Sequence, residues 1–128
     1  MSVKGAVYKC NVCGNIVEEL WDGEMEPHCC GQQMEKLVEN TTEAAVEKHI
    51  PVIVREGTKV TVTVGEVAHP MTPQHYILFV ELLSGRHTWR YDFKEGDCVA
   101  EAVFAVDESA QDLKARAYCN LHGFWATT

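Results

Sequence analysis

The sequence predicts a mostly β protein in which a small cysteine-rich segment is followed by an antiparallel β-sandwich of immunoglobulin-like type. From about residue 52 onward, short runs alternate apolar and polar side chains, as half-buried strands do. Turn residues separate these runs at nearly regular spacing, which is typical of sandwiches. Four of the six cysteines lie between residues 10 and 30, in a segment too short to fold on an apolar core alone.

Length and composition limit the possible functions. The chain of 128 residues is long enough for a small domain followed by a modest one, and we place the boundary between residues 38 and 39. The net charge of −8 argues against nucleic-acid binding, which needs a basic surface. No apolar run reaches the length of a membrane span, and the first residues lack the apolar core of a signal peptide. We therefore expect a cytoplasmic protein.

The first segment, residues 1–38, predicts a site made of four thiolates. Residues 7–9 form a strand that runs into a Cys-x-x-Cys knuckle, where Gly14 lets the chain turn and points peptide N–H groups at the sulfurs. Residues 16–21 predict a second strand, with a turn at Asp22 and Gly23. A closed tetrahedral site needs four ligands, and the segment supplies Cys10, Cys13, Cys29 and Cys30.

The four cysteine ligands alone do not decide which metal this segment binds. A structural zinc is the commoner occupant of four cysteines. Cys29 and Cys30 are adjacent, however, and neighbouring side chains diverge along an extended chain, so we expect a distorted tetrahedron that favours a redox iron. His28 lies beside the cluster, but four sulfurs already complete it, so we interpret His28 as an exposed bystander.

The second segment, residues 39–128, begins with a linker at 40–46 that predicts a short capped helical turn. The alternating runs predict strands at 52–55, 59–64, 76–83, 88–93, 98–106 and 113–118. The run at 76–83 is mostly apolar and is expected to be central. We interpret Cys98 as a small buried hydrophobic residue and His87 as a surface residue.

A second metal site is predicted from histidines that lie outside the alternating runs. His49, His69 and His75 lie in predicted loops that contain prolines, which restrict the backbone and reduce the entropy lost when distant ligands gather. Cys119 and His122 are three residues apart at a strand end, where both can bind one ion. Four imidazoles with a single thiolate suit a redox metal better than a structural zinc.

At these residues the sequence resembles the desulfoferrodoxin-type superoxide reductases over nearly its whole length. The matching motifs, in chain order, are Tyr8-Lys9-Cys10, Cys13-Gly14-Asn15, Cys29-Cys30, Glu47-Lys48-His49-Ile50-Pro51-Val52, His69-Pro70-Met71-Thr72-Pro73-Gln74-His75-Tyr76 and Cys119-Asn120-Leu121-His122-Gly123. Each motif is weak alone, but their ordered set is highly specific.

The resemblance implies two iron centres. A desulforedoxin-like domain at 1–38 would hold ferric iron on the four cysteines. The sandwich at 39–128 would hold a square-pyramidal ferrous site, with Cys119 as the axial ligand and four equatorial ligands, His49, His69, His75 and His122. A homodimer and a rubredoxin-like electron donor are also implied.

The implied activity is the one-electron reduction of superoxide to hydrogen peroxide at the histidine site. Lys48 would add positive charge and orient the water that supplies a proton, and Glu47 would bind the oxidised iron. Three other functions compete. An electron carrier leaves the histidines without a purpose, a zinc-bound structural module would be colourless, and superoxide dismutation would need the same iron to oxidise superoxide as well.

Overall fold

β-Strands make up the regular secondary structure of this computed structural model, which describes residues 5–42, 49–65, 69–85, 87–94 and 96–127. The predicted mostly β class is confirmed. The chain divides into two compact units, Met1–Val38 and Glu39–Thr128. Within the described residues we find no helix long and apolar enough to cross a membrane.

The first unit is built on a three-stranded sheet in which β1 lies between β2 and β5. A separate two-stranded hairpin is formed by β3 and β4. The bounds are β1 Val7–Lys9, β2 Ile16–Glu18, β3 His28–Cys29, β4 Gln32–Gln33 and β5 Glu35–Lys36. The second strand is therefore shorter than predicted, and the last three are too short to show a period in sequence. The buried core of this unit is small, with Tyr8, Cys10 and Met34 at its centre.

The second unit has two antiparallel sheets, in the strand orders β10-β7-β6 and β12-β11-β8-β9. The bounds are β6 Pro51–Glu56, β7 Lys59–Val64, β8 Ile77–Ser84, β9 His87–Asp92, β10 Glu101–Ala105, β11 Lys114–Cys119 and β12 Gly123–Ala126. The apolar strand β8 is central in its sheet, as expected. These seven strands agree with the predicted immunoglobulin-like sandwich.

The core of the sandwich follows from the alternation along its strands. In β7 the valines at 60, 62 and 64 are fully buried, whereas the threonines between them are half-buried. The valine face belongs to the same core cluster as β8 and β11 side chains, including Val80, Leu82, Ala115 and Ala117. A two-residue period thus places one face of each sheet inside.

The sandwich differs from the sequence prediction at β10, at Cys98 and at the last strand. Strand β10 starts at Glu101 rather than at residue 98, and Cys98 is exposed, so its predicted burial is wrong. A turn in which Lys94 N–H donates to Asp97 Oδ2 precedes it and delays the strand. Strand β12 was not predicted, because its four residues do not alternate. Most of the predicted helical turn in the linker lies outside the described residues.

A buried ion pair joins β8 to β11. The guanidinium of Arg116 donates to Glu81 Oε1 from Nη2 at 2.6 Å and from Nε at 3.0 Å. Glu81 is 1% exposed and Arg116 is 5% exposed. The guanidinium also reaches Glu39 Oε2 at 3.1 Å, and this carboxylate accepts a second bond from the half-exposed Lys114.

Arg116→Met is expected to lower the free energy of unfolding by about 3–5 kcal/mol, because it leaves the buried Glu81 carboxylate without its cation. Lys114→Met is the matched control. It breaks a partly exposed pair with Glu39 and should cost about 1 kcal/mol or less. Chemical denaturation measures both free energies of unfolding, and equal losses would show that burial does not govern the strength of this network.

Candidate functional site

The first candidate centre is assembled by two turns of the small unit. After β1, Gly14 adopts a φ of +85° and its N–H donates to Cys10 O at 3.0 Å. This turn points the N–H of Cys13 at Cys10 Sγ, 3.5 Å away, as the sequence predicts. Such peptide N–H groups stabilise negative charge on a ligating sulfur.

The sulfur spacing fits a tetrahedral metal. The Cys13–Cys29 Sγ distance is 3.6 Å and the Cys29–Cys30 distance is 3.9 Å. Metal–sulfur bonds of about 2.3 Å, arranged as a tetrahedron, require sulfur–sulfur distances of about 3.8 Å. All four sulfurs lie within 4.8 Å of one another. The residues present therefore fit the tetrathiolate site expected from the sequence.

The adjacent cysteines reach one point because the chain is not extended there. Cys30 has a φ of +53° and Gly31 a φ of +76°, so the backbone reverses in the left-handed region. This region costs a residue with a Cβ about 1–3 kcal/mol, which is tolerated where the surroundings impose it. The expected divergence of the two side chains is wrong, since it assumed an extended backbone. Their spacing consequently gives no argument for iron over zinc.

Ionisation of the thiols is unequal within this cluster. Hydrogen bonds from the peptide N–H groups of Cys13 and Val12 lower the pKa of Cys10 to about 6. Hydrogen bonding with the thiols of Cys13 and Cys10 raises the pKa of Cys29 to about 12. One thiolate thus makes ionisation of its neighbours harder. A bound cation opposes this effect, so metal binding should release protons.

The second candidate centre lies at the end of the sandwich where β11 ends and β6, β8 and β12 begin. Cys119 is the last residue of β11, and His122 follows in the turn before β12. His49 precedes β6, whereas His69 and His75 lie in the segment before β8. Three chain segments far apart in sequence therefore contribute to one place.

The four imidazoles form a closed cycle of edge-to-face contacts. Ring centroids are 4.8 Å apart for His49–His69 and His69–His75, and 4.9 Å apart for His75–His122 and His122–His49. The interplanar angles lie between 66° and 80°. In a square with such sides, ring nitrogens pointing inward lie about 2.3 Å from the centre, near the imidazole–metal bond length of about 2.0–2.1 Å.

Donor atoms are oriented by neighbouring groups. His49 Nε2 and His122 Nδ1 are 3.1 Å apart, and Cys119 Sγ is 3.9 Å from His122 Nδ1. His69 Nδ1 lies 2.7 Å from Pro70 O, so this nitrogen donates its proton to the carbonyl and Nε2 is the nitrogen that could bind a metal. The donor atoms of His49, His75, Cys119 and His122 lie within 4.8 Å of one another, and His69 joins them through its ring contacts.

Burial is graded across this centre. Cys119 and His49 are fully buried and His69 is 4% exposed, whereas His75 is half-buried and His122 is exposed. The thiol therefore lies on the protein side of the cycle, and solvent reaches the histidines on the other side.

A tight turn presents His75. Within Thr72-Pro73-Gln74-His75, the N–H of Thr72 donates to His75 O at 2.9 Å and the N–H of His75 donates to Thr72 O at 3.1 Å. Pro73 follows Thr72 and pre-sets the backbone for this turn. The predicted stiffening of the loop by proline is consistent with this hydrogen bonding.

Trp125 contributes to the centre, although the sequence did not single it out. Its indole stacks on His49 with centroids 4.7 Å apart and planes 16° apart. Its Nε1–H donates to His122 O at 3.1 Å. A tryptophan three residues after a ligand-like histidine was the available sequence signal, but a buried indole is usually explained by packing.

Trp125→Leu is expected to lower the iron affinity of this centre by about tenfold, because it removes both the stack and the hydrogen bond that orient two histidines. Trp125→Phe keeps an aromatic ring on His49 and should therefore lose less metal affinity than Trp125→Leu. Competition with a chelator measures both affinities. If the native protein and both variants bind the metal equally tightly, Trp125 contributes to core packing and does not orient the histidines.

Glu47 and Lys48 lie outside the described residues. His28 and His87 are exposed, as expected. The structure thus brings together the four cysteines of the small unit and, in the sandwich, the four histidines and one cysteine that the sequence selected.

Comparisons with known proteins agree with both centres. Residues 2–37 match the family model described as "Desulfoferrodoxin, N-terminal domain", and residues 41–128 match the model described as "Desulfoferrodoxin". A desulfoferrodoxin homolog of Archaeoglobus fulgidus is 50% identical over 119 residues, covering 93% of each chain. A superoxide reductase of Pyrococcus horikoshii is 40% identical over an alignment of 95 residues, and the match covers 62% of this chain and 83% of that protein.

A solved structure extends the similarity to three dimensions. The crystal structure of the superoxide reductase from Treponema pallidum superposes with a TM-score of 0.80 at 30% sequence identity. The match covers 96% of this chain and 97% of that one.

Proposed function

The chain belongs to the desulfoferrodoxin family, and we infer that it is a superoxide reductase that converts superoxide to hydrogen peroxide. The observation that carries this inference is the closed cycle of four imidazoles, of which His122 is exposed and His75 half-buried, with a fully buried thiol beside it. Four histidines and one cysteine would hold a metal with five protein ligands, and a ligand set that leaves room for a substrate is typical of a reactive centre rather than a structural one.

We assign two iron sites to the chain. The tetrathiolate site would use Cys10, Cys13, Cys29 and Cys30 within a desulforedoxin-like domain at 1–38. The reactive site would use His49, His69, His75, His122 and Cys119 within the sandwich domain at 39–128. The sulfur spacing of the first group and the ring spacing of the second support this assignment.

The iron of the reactive site, when bound, supplies the single electron that superoxide accepts. The protein's part is to hold the donors and to select the substrate. As a metal ligand, Cys119 would be the one thiolate of the set, and its burial keeps it away from solvent. The exposed side at His122 and His75 admits a small anion from water.

Electrostatics must favour an anionic substrate at this centre. The chain carries a net charge of −8, which repels superoxide at long range. Lys48 precedes His49 and is proposed to supply local positive charge and to orient the water that provides a proton. Glu47 is proposed to bind the oxidised metal and so to complete its coordination.

Lys48→Ala is expected to slow the bimolecular reaction with superoxide by roughly tenfold at low salt and to reduce its salt dependence, because a charge that attracts the anion is lost. Pulse radiolysis at several ionic strengths measures the rate. Lys59→Ala removes the same charge from β7 and is the control. A rate unchanged in Lys48→Ala at low salt would refute steering.

The partners follow from the proposed reaction. Each turnover consumes an electron, so we propose a rubredoxin-like protein as donor. We also propose a homodimer, which is supported by the mostly exposed apolar side chains of Leu20, Trp21 and Met25 in the small unit. A cytoplasmic location is proposed as well, and it is supported by six cysteines that form no disulfide within the described residues.

The deciding experiment mixes superoxide with the reduced, iron-loaded protein in the absence of oxygen and measures both products. Reduction consumes one superoxide, one electron and two protons for each hydrogen peroxide formed, without releasing oxygen. Dismutation converts two superoxide ions into one peroxide and one oxygen. Peroxide formed without oxygen, while the iron is oxidised, supports the reductase. Oxygen at half the superoxide consumed would establish dismutation instead.

A further inference from the structure

The side chain of Asn120 connects the two chain segments that carry His75 and the Cys119–His122 pair. Asn120 is half-buried and follows β11 directly. Its Oδ1 accepts from Tyr76 N–H at 2.9 Å, and its Nδ2 donates to Gln74 O at 3.0 Å. Its own N–H donates to Tyr76 O at 3.2 Å. One residue therefore forms three hydrogen bonds to the segment around His75.

The two side-chain bonds hold the peptide groups on either side of His75. Gln74 C=O belongs to the peptide bond before His75, and Tyr76 N–H belongs to the peptide bond after it. Because peptide groups are planar, holding both of them restricts the backbone from which the imidazole projects. The partners also determine the orientation of the amide, since Tyr76 offers a donor and Gln74 an acceptor.

Ordinary strand pairing does not extend this far. The pairing of β11 with β8 changes register between Tyr118 and Cys119, and its last pair is Cys119–Ile77. The turn at Thr72–His75 is closed internally, but those bonds do not tie it to β11. Beyond the last strand pair, the side-chain amide of Asn120 therefore connects the end of β11 to the segment around His75.

We propose that Asn120 is a positioning residue that sets the placement of the His75 imidazole relative to Cys119 and His122, and thereby the metal affinity of this centre. The inference rests on the ligand set proposed above. Asn120 lies next to Cys119 in the chain while its amide holds both sides of His75. Residues that orient metal ligands typically change metal affinity or activity by about 10–100-fold when they are replaced.

The test measures the ferrous iron affinity of the reactive centre by competition with a chelator. The tetrathiolate iron of the same molecule serves as an internal reference. Asn120→Ala is expected to weaken binding at the reactive centre about 10–100-fold and to leave the tetrathiolate centre unchanged. The visible absorption of the reactive centre should also shift, because the ligand geometry is altered.

Asn120→Asp separates positioning from simple electrostatics. It keeps the acceptor for Tyr76 N–H but removes the donor to Gln74 O and adds a negative charge near the metal. Electrostatics alone predicts tighter binding of a cation. Positioning predicts weaker binding, because the Gln74 carbonyl now faces a carboxylate oxygen.

Ser84→Ala is the control for a general loss of stability. Ser84 is 7% exposed, and its hydroxyl donates to Gln111 O at 2.6 Å from the far end of β8. The inference would be overturned if both Asn120 variants bound ferrous iron as tightly as the native chain. It would also be overturned if Ser84→Ala lost as much iron affinity as they did. If the native chain holds iron at the tetrathiolate centre alone, the proposed ligand set fails and the Asn120 inference fails with it.

Discussion

Replacing Cys119 by serine is expected to abolish superoxide reduction and to reduce the iron content from two ions per chain to one. Cys119 is fully buried, and its Sγ lies 3.9 Å from His122 Nδ1. A serine hydroxyl stays protonated at neutral pH, so the site would lose its one anionic donor. The loss should exceed the ~10–100-fold cost of removing a residue that only orients a ligand.

Iron analysis and the rate of superoxide consumption measure this effect, with the tetrathiolate iron as the reference. Cys98→Ser is a matched control, because Cys98 is an exposed thiol that belongs to neither cysteine group. It should retain both irons and full activity. If Cys119→Ser keeps two irons per chain and an undiminished rate of superoxide consumption, the assignment of Cys119 to the reactive centre is wrong.

The double substitution Cys13→Ser and Cys30→Ser is expected to unfold the small unit while the sandwich stays folded. Both side chains are exposed, so the exchange leaves the packed core of Tyr8, Cys10 and Met34 intact. That core is too small to offset the entropy of ordering a segment of this length. Structural metal sites contribute about 10–16 kcal/mol to small domains that depend on them.

Hydrogen exchange resolved along the chain tests this prediction. Amides of β1 and β2 should lose protection in the double variant, whereas those of β7, β8 and β11 should keep it. The sandwich has its own core of fully buried side chains, including Val62, Val80 and Leu82. Retained protection in β1 would mean that the small unit folds without its metal.

The strands and the donor residues were predictable because their signals are local. Alternation in β7 and the apolar run of β8 follow from a two-residue period in consecutive residues. The cysteines and histidines were selected by ligand chemistry and spacing, which the sequence displays directly. Strand β12 was missed because its four residues do not alternate and so show no period. The start of β10 was placed too early because a turn precedes the strand.

Other features depended on backbone geometry or on distant partners. The reversal at Cys30 depends on a left-handed φ that an ordinary residue rarely adopts, so adjacent thiols wrongly predicted divergence. Trp125 and Asn120 were not selected, because an indole and an amide have many ordinary uses. Their roles appear only when the groups that they contact are known.

By itself, the sequence determined the mostly β class, the two groups of candidate metal donors and the acidic character that disfavours nucleic acids. The tertiary structure alone decided how those donors meet. Partners such as Asn120 and Tyr76 lie 44 positions apart, and His49 and His122 lie 73 apart. Which ring nitrogen faces inward, which thiol is buried and which histidine meets solvent are properties of such distant contacts. No local pattern encodes them, because they arise only when the two sheets pack and bring their ends together.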